Sequence, residues 1–371
     1  MPALNLLIKP ASSLCNMGCR YCFYRDVAEN RNTKSFGIMK TETMEKMLKN
    51  VFSYADSQVS FTFQGGEPTL AGEDYFRAFH ASLEKYNTKR LPVAFSLQTN
   101  GYDISEALIE IFSKYKYLLG VSLDGWEALH NSLRTTASGG ATYEKITQTL
   151  SSLDSAGVDY NILTVITEDV ARRGSEVYKH LRDRGFRFLQ FIPYVPDFGK
   201  ECEKESYTLT NEGYAHFLSE TFREYRNDFV SGSYVSVRQF DNFVRIMAGA
   251  SPECCGMGGR CYSNLVVEAD GSVYPCDFYV LDEWLMGNIA KDSIKDILSS
   301  EAALRFVRES LKVSDECRAC PYAGICKGGC RRHRENAEGR VALNRYCEAY
   351  RSFFSESGSL IADIARRLCT K

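Results

Sequence analysis

Six short runs of apolar, β-branched or aromatic residues recur along the first half of the chain, and they limit the fold more than any other feature. The runs are residues 4–8, 59–63, 93–97, 118–123, 160–166 and 186–192. Segments with a helical period separate them, at residues 41–54, 105–115 and 142–156. Buried strands that alternate with helices predict an α/β fold with a parallel sheet, either open or curled into a partial (β/α)6 barrel. The functional site is then expected just after the strands, at their C-terminal ends.

The pattern changes in the second half of the chain. Past residue 197 a mostly helical stretch reaches residue 249, and glycine and cysteine then become frequent. Asp270-Gly271 lies between two alternating runs in LVVEADGSVYPCDF, which predicts a tight β-hairpin. We therefore expect a partial barrel over residues 1–200 and a helical connection over 201–250. A cysteine-rich domain with a hairpin and helices is expected over 251–371.

Composition and charge narrow the class of protein. The segment MPALNLLIKP has no basic stretch followed by an apolar one, and no run of about 18 apolar residues occurs, so we expect a cytoplasmic protein that enters no membrane. Fourteen cysteines in that compartment indicate metal ligands rather than disulfides. The 45 basic and 47 acidic residues leave a net charge of -2, which gives no general attraction to nucleic acid.

Cys15, Cys19 and Cys22 form a CxxxCxxC motif after the first predicted strand. Three thiolates can bind three irons of a [4Fe–4S] cluster and leave the fourth iron open to a small chelating ligand. The alternative is a zinc site that a distant residue completes. Zinc sites favour CxxC pairs, however, and none of the five histidines lies near the motif in sequence. The motif therefore favours an iron–sulfur cluster with one open position.

Eight further cysteines are enough for two fully ligated four-iron clusters. They are Cys255, Cys261, Cys276, Cys317, Cys320, Cys326, Cys330 and Cys347. A CxxC pair followed by other cysteines also describes zinc ribbons, so the spacing alone leaves zinc open here. Cys202, Cys254 and Cys369 are left over, and we interpret them as small buried residues.

Several motifs carry a family resemblance. CxxxCxxC with Tyr21 before its last cysteine resembles the signature of radical S-adenosylmethionine (SAM) enzymes, in which SAM binds the open iron. QGGEP at residues 64–68 resembles the GGEP motif of the same superfamily, and the downstream cysteines resemble the SPASM extension of its peptide-modifying members. From end to end the chain is most similar to the anaerobic sulfatase-maturating enzymes, in stretches such as LIKPASSLCNMGCRYCFY, VVEADGSVYPCDFYVLD and CKGGCRR.

The resemblance implies SAM and three [4Fe–4S] clusters as cofactors. It assigns the cluster that binds SAM to Cys15, Cys19 and Cys22. It assigns auxiliary cluster one to Cys255, Cys261, Cys276 and Cys330. It assigns auxiliary cluster two to Cys317, Cys320, Cys326 and Cys347.

The resemblance also implies which residues contact SAM. Tyr21 is expected beside the adenine, and Gly65 and Gly66, next to Glu67, at the methionyl end, where glycine lets a backbone approach a ligand closely. Three further contacts are implied, namely Ser122, Arg134 and the backbone of Val195. Arg134 suits the SAM carboxylate because a guanidinium matches two oxygens. From the residues alone, Ser122 can also be interpreted as a strand-end cap, and Arg134 as a solvated arginine at a helix end.

The implied reaction is oxidation of a cysteine or serine in a sulfatase polypeptide, within a C/S-x-P-x-R motif, to Cα-formylglycine. A 5′-deoxyadenosyl radical from SAM takes a Cβ hydrogen, Asp277 takes a proton, and an auxiliary cluster takes the second electron. From the residues alone, Asp277 also reads as a turn residue that bonds nearby N–H groups. Gln64, Gln98 and Asn100 lie at strand ends, where they could bind peptide amides. A flavodoxin or a ferredoxin is the expected electron donor.

Two other functions compete with this one. A SPASM maturase that forms thioether or carbon–carbon crosslinks would use the same clusters. Many such maturases carry a leader-peptide recognition domain, which we do not expect before Leu4. A zinc-binding interaction protein without catalysis would explain the downstream cysteines alone. RRHR, at residues 331–334, is interpreted as a solvated helix start rather than a nucleic-acid patch, with His333 on the surface.

Overall fold

The computed structural model describes residues 3–198, 205–335 and 342–369. The strands are β1 Leu4–Ile8, β2 Val59–Phe63, β3 Val93–Thr99, β4 Leu118–Ser122, β5 Tyr160–Ile166, β6 Phe188–Pro193, β7 Ser236–Val237, β8 Leu265–Val267, β9 Ser272–Tyr274 and β10 Gly287–Asn288. The α-helices are α1 Phe23–Glu29, α2 Thr41–Tyr54, α3 Gly72–Tyr86, α4 Glu106–Lys114, α5 Glu127–Asn131, α6 Tyr143–Ser155, α7 Glu168–Ala171, α8 Gly174–Asp183, α9 Asn211–Ser231, α10 Arg238–Met247, α11 Ile294–Leu298, α12 Glu301–Ser310, α13 Asp315–Ala319, α14 Ala323–Cys326 and α15 Cys347–Cys369. Single 3-10 turns lie at Pro68–Ala71, Cys255–Met257, Asp277–Tyr279, Asp282–Trp284 and Arg331–His333.

The predicted α/β class is confirmed. Each of the six apolar runs forms a strand, β1 to β6, and helices separate these strands along the chain. Small shifts occur at strand ends: β3 runs on to Thr99, and β6 begins at Phe188. The later start of β6 has a local cause, because Gly185 takes a φ of 91° after α8 and the N–H of Phe186 still bonds the carbonyl of Leu181. The predicted hairpin at Asp270-Gly271 is confirmed as β8 and β9.

The chain packs as two compact units. The first comprises the stretch up to Ser122, Asn131–Tyr160 and Tyr262–Val307, and the second comprises Leu123–His130, Asn161–Cys261 and the stretch from Arg308 onward. These units are defined by packing, whereas the three predicted domains are defined by sequence motifs. The division into three domains stays a prediction. Within the described ranges, no helix is both long and apolar enough to cross a membrane.

The first unit is built on a mixed sheet with the strand order β10-β9-β8-β1-β2-β3-β4. Strands β1 to β4 are parallel, with Leu6 opposite Phe61 and Phe61 opposite Phe95. The hairpin strand β8 continues this sheet by pairing in parallel with β1, where Leu6 lies opposite Leu265. The hairpin thus brings the segment that follows β9 to the β1 edge of the sheet, and this segment contains Asp277.

An aromatic core lies against this sheet. Phe61 and Phe63 of β2 are fully buried and contact Phe79 of α3 edge to face, with ring centroids 5.2 and 5.0 Å apart. Tyr117 is buried too, and its hydroxyl lies 2.9 Å from Nε2 of His80. Alternate side chains of β2 fill this core because successive strand residues point to opposite faces. The core fixes the strand ends from which the site residues project.

The second unit combines a small parallel sheet with long helices. Strands β5, β6 and β7 pair in parallel, with Ile162 opposite Leu189. Helices α9, α10 and α15 pack through aromatic rings; the centroids of Phe222 and Phe353 are 5.5 Å apart, and those of Phe243 and Phe354 are 5.0 Å apart. The helical stretch predicted over residues 201–250 is present as α9 and α10 within the described residues.

Candidate active site

A loop between β1 and α1 carries Cys15, Cys19 and Cys22, all within the first unit. Its middle runs antiparallel to a second segment: the N–H of Gly18 donates to the carbonyl of Thr135 at 2.8 Å, and that of Arg20 donates to Leu133 at 3.0 Å. We call residues 15–22 the cysteine loop. Its backbone is therefore held in place before any cofactor binds.

The surroundings of Cys15 suit a cluster ligand. Its Sγ accepts hydrogen bonds from the N–H of Met17 at 3.4 Å and from Nδ2 of Asn100 at 3.6 Å. Part of Cys15 is exposed, but partial desolvation by the surrounding chain raises the pKa of its thiol to about 12, and the charges of Glu67, Cys19 and Cys22 add to that rise. A metal must displace the thiol proton, and N–H donors stabilise the sulfur charge that results. The three cysteines therefore fit an iron–sulfur cluster.

The glycines of QGGEP hold a second loop against the first one. The N–H of Gly66 donates to Ser12 at 3.0 Å, and that of Glu67 donates to Leu14 at 2.7 Å. A Cβ atom at Gly66 would lie 2.1 Å from the carbonyl oxygen of Leu14, and Gly65 has a φ of +127°. Only glycine permits this approach of two backbones. The pair thus positions the cysteine loop, in addition to the expected contact with SAM.

Glu67 is fully buried, and donors of the chain surround its carboxylate. Oε1 accepts from the N–H and hydroxyl of Thr69 and from the hydroxyl of Thr99, at 3.1, 2.8 and 2.9 Å. Oε2 accepts from the N–H of Asn100 at 2.7 Å. Burial raises the pKa of Glu67, and these hydrogen bonds oppose that rise. Glu67 therefore ties QGGEP to the end of β3 and so to Asn100, which contacts Cys15.

Two of the predicted SAM contacts come together in the first unit. Arg134 is 6% exposed, and its guanidinium carbon lies 5.3 Å from the ring centroid of Tyr21. This burial excludes the solvated helix-end arginine that the sequence also allowed. Ser122 ends β4 and is buried, while Val195 follows β6 in the second unit. The roles of all four toward SAM stay predictions.

Asp277 opens the 3-10 turn after β9 and has one oxygen without a partner. Its Oδ2 accepts from the hydroxyl of Tyr24 at 2.6 Å and from Nε2 of Gln64 at 3.0 Å. Its Oδ1 is buried and accepts no hydrogen bond from any residue that the structure describes. Burial raises the pKa of Asp277, and the charge of Lys9 and the hydrogen bond from Tyr24 oppose that rise. The carboxylate thus has a free lone pair beside α1, the helix that begins directly after Cys22.

The predicted peptide-binding residues have different surroundings. Gln64 donates to Asp277, so it belongs to the neighbourhood of the proposed base. The Nδ2 of Asn100 donates to Oδ1 of Asn16 at 2.8 Å, besides its contact with Cys15. Gln98 is partly exposed on β3. Their binding of a peptide stays a prediction.

A buried charge cluster lies beside Asp277 and was not predicted from the sequence. Glu268 accepts from Nζ of Lys9 at 3.1 Å and from Nη1 of Arg31 at 2.6 Å, and all three side chains are buried. Lys9 also lies 5.2 Å from the ring centroid of Tyr24. Two cations and one anion leave one positive charge in this cluster, and the charge of Lys9 opposes the rise that burial causes in the pKa of Asp277. The rule that site residues follow the strands points to Lys9, since it comes directly after β1.

Glu268 is expected to contribute strongly to stability. Burial alone would raise its pKa, but the charges of Lys9 and Arg31 outweigh burial and lower the pKa to about 2. Glu268→Gln should therefore reduce the free energy of unfolding by about 3–5 kcal/mol at pH 7, because two buried cations lose their carboxylate. The lowered pKa means that this contribution is complete above about pH 4.3, the unfolded value, and is lost as the pH falls toward 2.

Denaturant unfolding at several pH values measures this contribution. The stability difference between the unmodified chain and Glu268→Gln should shrink below about pH 4.3. Glu42→Gln is the matched control, because Glu42 pairs with Lys46 on an exposed face of α2. It should change stability little, since exposed ion pairs contribute little. Equal effects of the two substitutions at pH 7 would contradict the prediction.

Four downstream cysteines line one cavity of the second unit. Cys317, Cys320, Cys326 and Cys347 surround a space of about 260 Å³ together with Tyr322, Tyr350 and Phe354. Burial raises the pKa of the Cys326 thiol to about 11, and the other three cysteines add to the rise. Within the described ranges, no three His, Cys, Asp or Glu side chains stand close enough to hold a single metal ion. In a four-iron cluster each cysteine binds a different iron.

The remaining predicted ligands fall in both units. Cys255 and Cys330 lie close together in the second unit, where a Cβ atom on Gly256 would be 3.3 Å from the Cβ of Cys330. Cys261 belongs to the same unit, and its charge adds to the rise that burial causes in the pKa of Cys330. Cys276, at the end of the hairpin, belongs to the first unit. The assignment of these four to one cluster stays a prediction.

Two expectations about side chains were wrong. The arginines of RRHR are not solvated: Arg331, Arg332 and Arg334 are all buried, because carbonyl and carboxylate groups from distant segments bind their guanidinium groups. Among the leftover cysteines, Cys369 is exposed on the last turn of α15 and Cys254 is half-buried. Cys202 lies outside the described residues.

Comparison with known families agrees with this arrangement. The Radical SAM superfamily profile matches residues 10–173, and the profile of an iron-sulfur cluster-binding domain, SPASM, matches residues 255–321. The fold and the cysteine loop define the chain as a radical SAM enzyme with an iron–sulfur cluster-binding region toward its C-terminus. This class is not the zinc-binding interaction protein that the cysteine spacing also allowed.

Individual relatives give the family. The cysteine-type anaerobic sulfatase-maturating enzyme of Clostridium perfringens is 42% identical over 369 residues, which is 99% of this chain and 100% of that protein. The chain belongs to the anaerobic sulfatase-maturating enzymes, as the sequence resemblance predicted. The solved structure of native anSMEcpe with bound AdoMet and Cp18Cys peptide matches with a TM-score of 0.95 and 40% identity, over 99% of this chain and 100% of that one. The serine-type enzyme of Klebsiella pneumoniae is 28% identical over 95% of this chain and 87% of that protein.

Proposed function

We propose that the chain oxidises the Cβ carbon of a cysteine in a sulfatase polypeptide and so produces Cα-formylglycine. The observation that carries this proposal is the unpartnered, buried Oδ1 of Asp277, beside the helix that follows the cysteine loop. Family membership supplies the reaction class, and Asp277 supplies the proton acceptor that this reaction needs. The chemistry distinguishes it from crosslinking, in which the substrate radical forms a bond to another residue.

The proposed cofactors are SAM and three [4Fe–4S] clusters. When bound, they supply a 5′-deoxyadenosyl radical that removes one Cβ hydrogen atom and an acceptor for the second electron. Cys15, Cys19 and Cys22 would hold the cluster that binds SAM. Support comes from the N–H donors at Cys15 and from the cavity that four downstream cysteines line.

Residues of the chain handle the proton and the orientation of the base. After the Cβ hydrogen has left, the substrate loses one electron and the thiol proton, which leaves a C=S double bond. Oδ1 of Asp277 accepts that proton, while Tyr24 and Gln64 hold Oδ2 and fix the direction of Oδ1. Water then replaces the sulfur, hydrogen sulfide leaves, and the aldehyde remains. Lys9 stabilises the carboxylate form of Asp277 through its charge.

We propose a cysteine-containing substrate with the motif C-x-P-x-R in preference to its serine counterpart. The cysteine-type relative shares 42% of its residues with this chain, whereas the serine-type relative shares 28%. The similar structure with a bound Cp18Cys peptide supports a polypeptide substrate. A thiol also loses its proton more easily than an alcohol does, so a carboxylate base suits cysteine better.

The proposed electron donor is a flavodoxin or a ferredoxin, and the proposed compartment is the cytoplasm. Fourteen cysteines, eleven of them proposed as cluster ligands, suit a reducing compartment in which disulfides do not form. The nearly balanced charge of 45 basic and 47 acidic residues gives no support to a nucleic-acid partner.

Anaerobic incubation with SAM, a chemical reductant and synthetic peptides tests the function. A C-x-P-x-R peptide should lose the mass expected when CH2–SH becomes an aldehyde, and it should react at least about tenfold faster than the S-x-P-x-R peptide. The same peptide with alanine in place of cysteine is the matched control and should keep its mass. SAM cleavage without an aldehyde would contradict the proposed substrate while leaving the radical chemistry intact.

A further inference from the structure

Arg334 is a buried cation to which the described residues supply no carboxylate partner. It is 3% exposed, and its Nη2 and Nη1 donate to the carbonyl oxygens of Ser310 and Lys312 at 2.9 and 3.2 Å. Its Nε is buried and has no hydrogen-bond partner. Within residues 205–335 and 342–369, no carboxylate pairs with it. Burying an unpaired charge costs several kcal/mol, so a nearby negative group is expected to offset that cost.

Arg331, three residues earlier, is surrounded by carboxylates. Its guanidinium pairs with Glu309 at 2.9 Å and also with Glu335. Two carboxylates therefore neutralise Arg331 and leave a negative balance there. We call Arg331 and Arg334 the arginine pair; the second member supplies the uncompensated charge.

The arginine pair lies beside cysteines that are predicted cluster ligands in the same unit. The turn that carries it begins at Cys330, whose carbonyl accepts from the N–H of His333 at 3.0 Å. Ser310, which binds Arg334 through its carbonyl, accepts through Oγ from the N–H of Cys261 at 2.9 Å. Burial raises the pKa of the Cys330 thiol to about 12, and the charge of Arg334 opposes that rise. Contacts thus lead from Arg334 to two of the predicted ligands.

We propose that Arg334 raises the reduction potential of the auxiliary cluster that Cys255, Cys261 and Cys330 help to hold. A buried positive charge stabilises the more negative, reduced form of a cluster, and net charge is one of the factors that set such potentials. Arginine suits this role because it keeps its charge in a buried site. Glu309 and Glu335 together outweigh the charge of Arg331, so their negative balance opposes the effect of Arg334.

This property would favour the oxidation step of the proposed function, on which the inference rests. The substrate radical is oxidised by one electron, the cluster is reduced by one electron, and the thiol proton goes to Asp277. A higher potential makes the cluster a better acceptor for that electron. Arg334 itself contacts neither the substrate nor the transferred proton. Its role is to place a positive charge near the cluster.

Redox titration of the iron-loaded full-length chain, followed by electron paramagnetic resonance, tests the proposal. Arg334→Gln should lower the midpoint potential of one cluster by about 59 mV, which for one electron is a tenfold change. At a fixed applied potential, the ratio of reduced to oxidised cluster should then fall about tenfold. Arg334→Lys keeps the charge and should stay close to the unmodified chain. Glu309→Gln should raise the same midpoint. Arg366→Gln, on an exposed part of α15, is the matched control and should change none.

Two results for the arginine variants would overturn the inference. The first is an unchanged midpoint potential in iron-loaded Arg334→Gln. The second is a fall in Arg334→Lys as large as that in Arg334→Gln, which would make the carbonyl contacts responsible and not the charge. If Arg334→Gln fails to load iron, Glu309→Gln provides the test, because the side chain of Glu309 is partly exposed and tolerates the change. A higher midpoint potential in Glu309→Gln supports the inference, and an unchanged or lower one refutes it. An unmodified chain without auxiliary-cluster signals would instead contradict the cluster assignment of the proposed function.

Discussion

Joint replacement of Cys15, Cys19 and Cys22 by alanine is expected to abolish SAM cleavage and peptide oxidation together. The iron content should fall by about four from the roughly twelve atoms that three four-iron clusters contain. In the proposed function, the open iron and the electron that cleaves SAM both come from the cluster at this loop. Iron analysis, SAM cleavage and peptide mass measured on one preparation check all three expectations.

The fold of this variant should survive. Hydrogen bonds to Leu133 and Thr135 hold the backbone of the cysteine loop, and the side chains of the three cysteines take no part in them. The matched control replaces the leftover cysteines Cys202, Cys254 and Cys369 by serine and should keep full iron and full activity. SAM cleavage that persists without the three loop cysteines would contradict the assignment of the loop.

Local patterns were sufficient to predict the frame of the molecule. Strands β1, β2 and β5 have the bounds that their apolar runs indicated, because strand length and alternation are properties of neighbouring residues. The hairpin at Asp270-Gly271 was predictable for the same reason. The family resemblance, and not a local pattern, assigned Asp277 to the site. In the structure Asp277 follows this hairpin, whose strand β8 pairs with β1, the strand before the cysteine loop.

Long-range electrostatics could not be predicted in the same way. Arg31 and Glu268 are separated by 237 positions, and either residue read alone is typical of an exposed surface. RRHR was wrongly interpreted as solvated because a run of charges usually is. Its partners, Glu309 for Arg331 and the carbonyl of Ser310 for Arg334, come from α12, so no local pattern reveals them. The sequence and the family resemblance proposed the groups that bind cofactors, whereas they gave no sign of the buried charges described above.

Replacing Asp277 by asparagine is expected to reduce formylglycine formation by about 100- to 10,000-fold, the usual contribution of a general base. The amide oxygen of asparagine can take the place of Oδ2 and accept from both Tyr24 and Gln64, so the surroundings should persist. The NH2 group that replaces Oδ1 cannot accept the thiol proton. Cβ hydrogen removal precedes that proton transfer, so SAM cleavage and iron content should remain.

Three further measurements separate proton transfer from a structural role of Asp277. Asp277→Glu keeps a carboxylate on a longer side chain and should recover part of the product, whereas Asp74→Asn, on an exposed turn of α3, should behave like the unmodified chain. Deuterium at the substrate Cβ should still appear in 5′-deoxyadenosine with Asp277→Asn, because hydrogen abstraction needs no base. Full product formation by Asp277→Asn would refute the base. Loss of deuterium transfer together with product would instead mean that Asp277 positions the peptide, since the substrate would then no longer reach the radical.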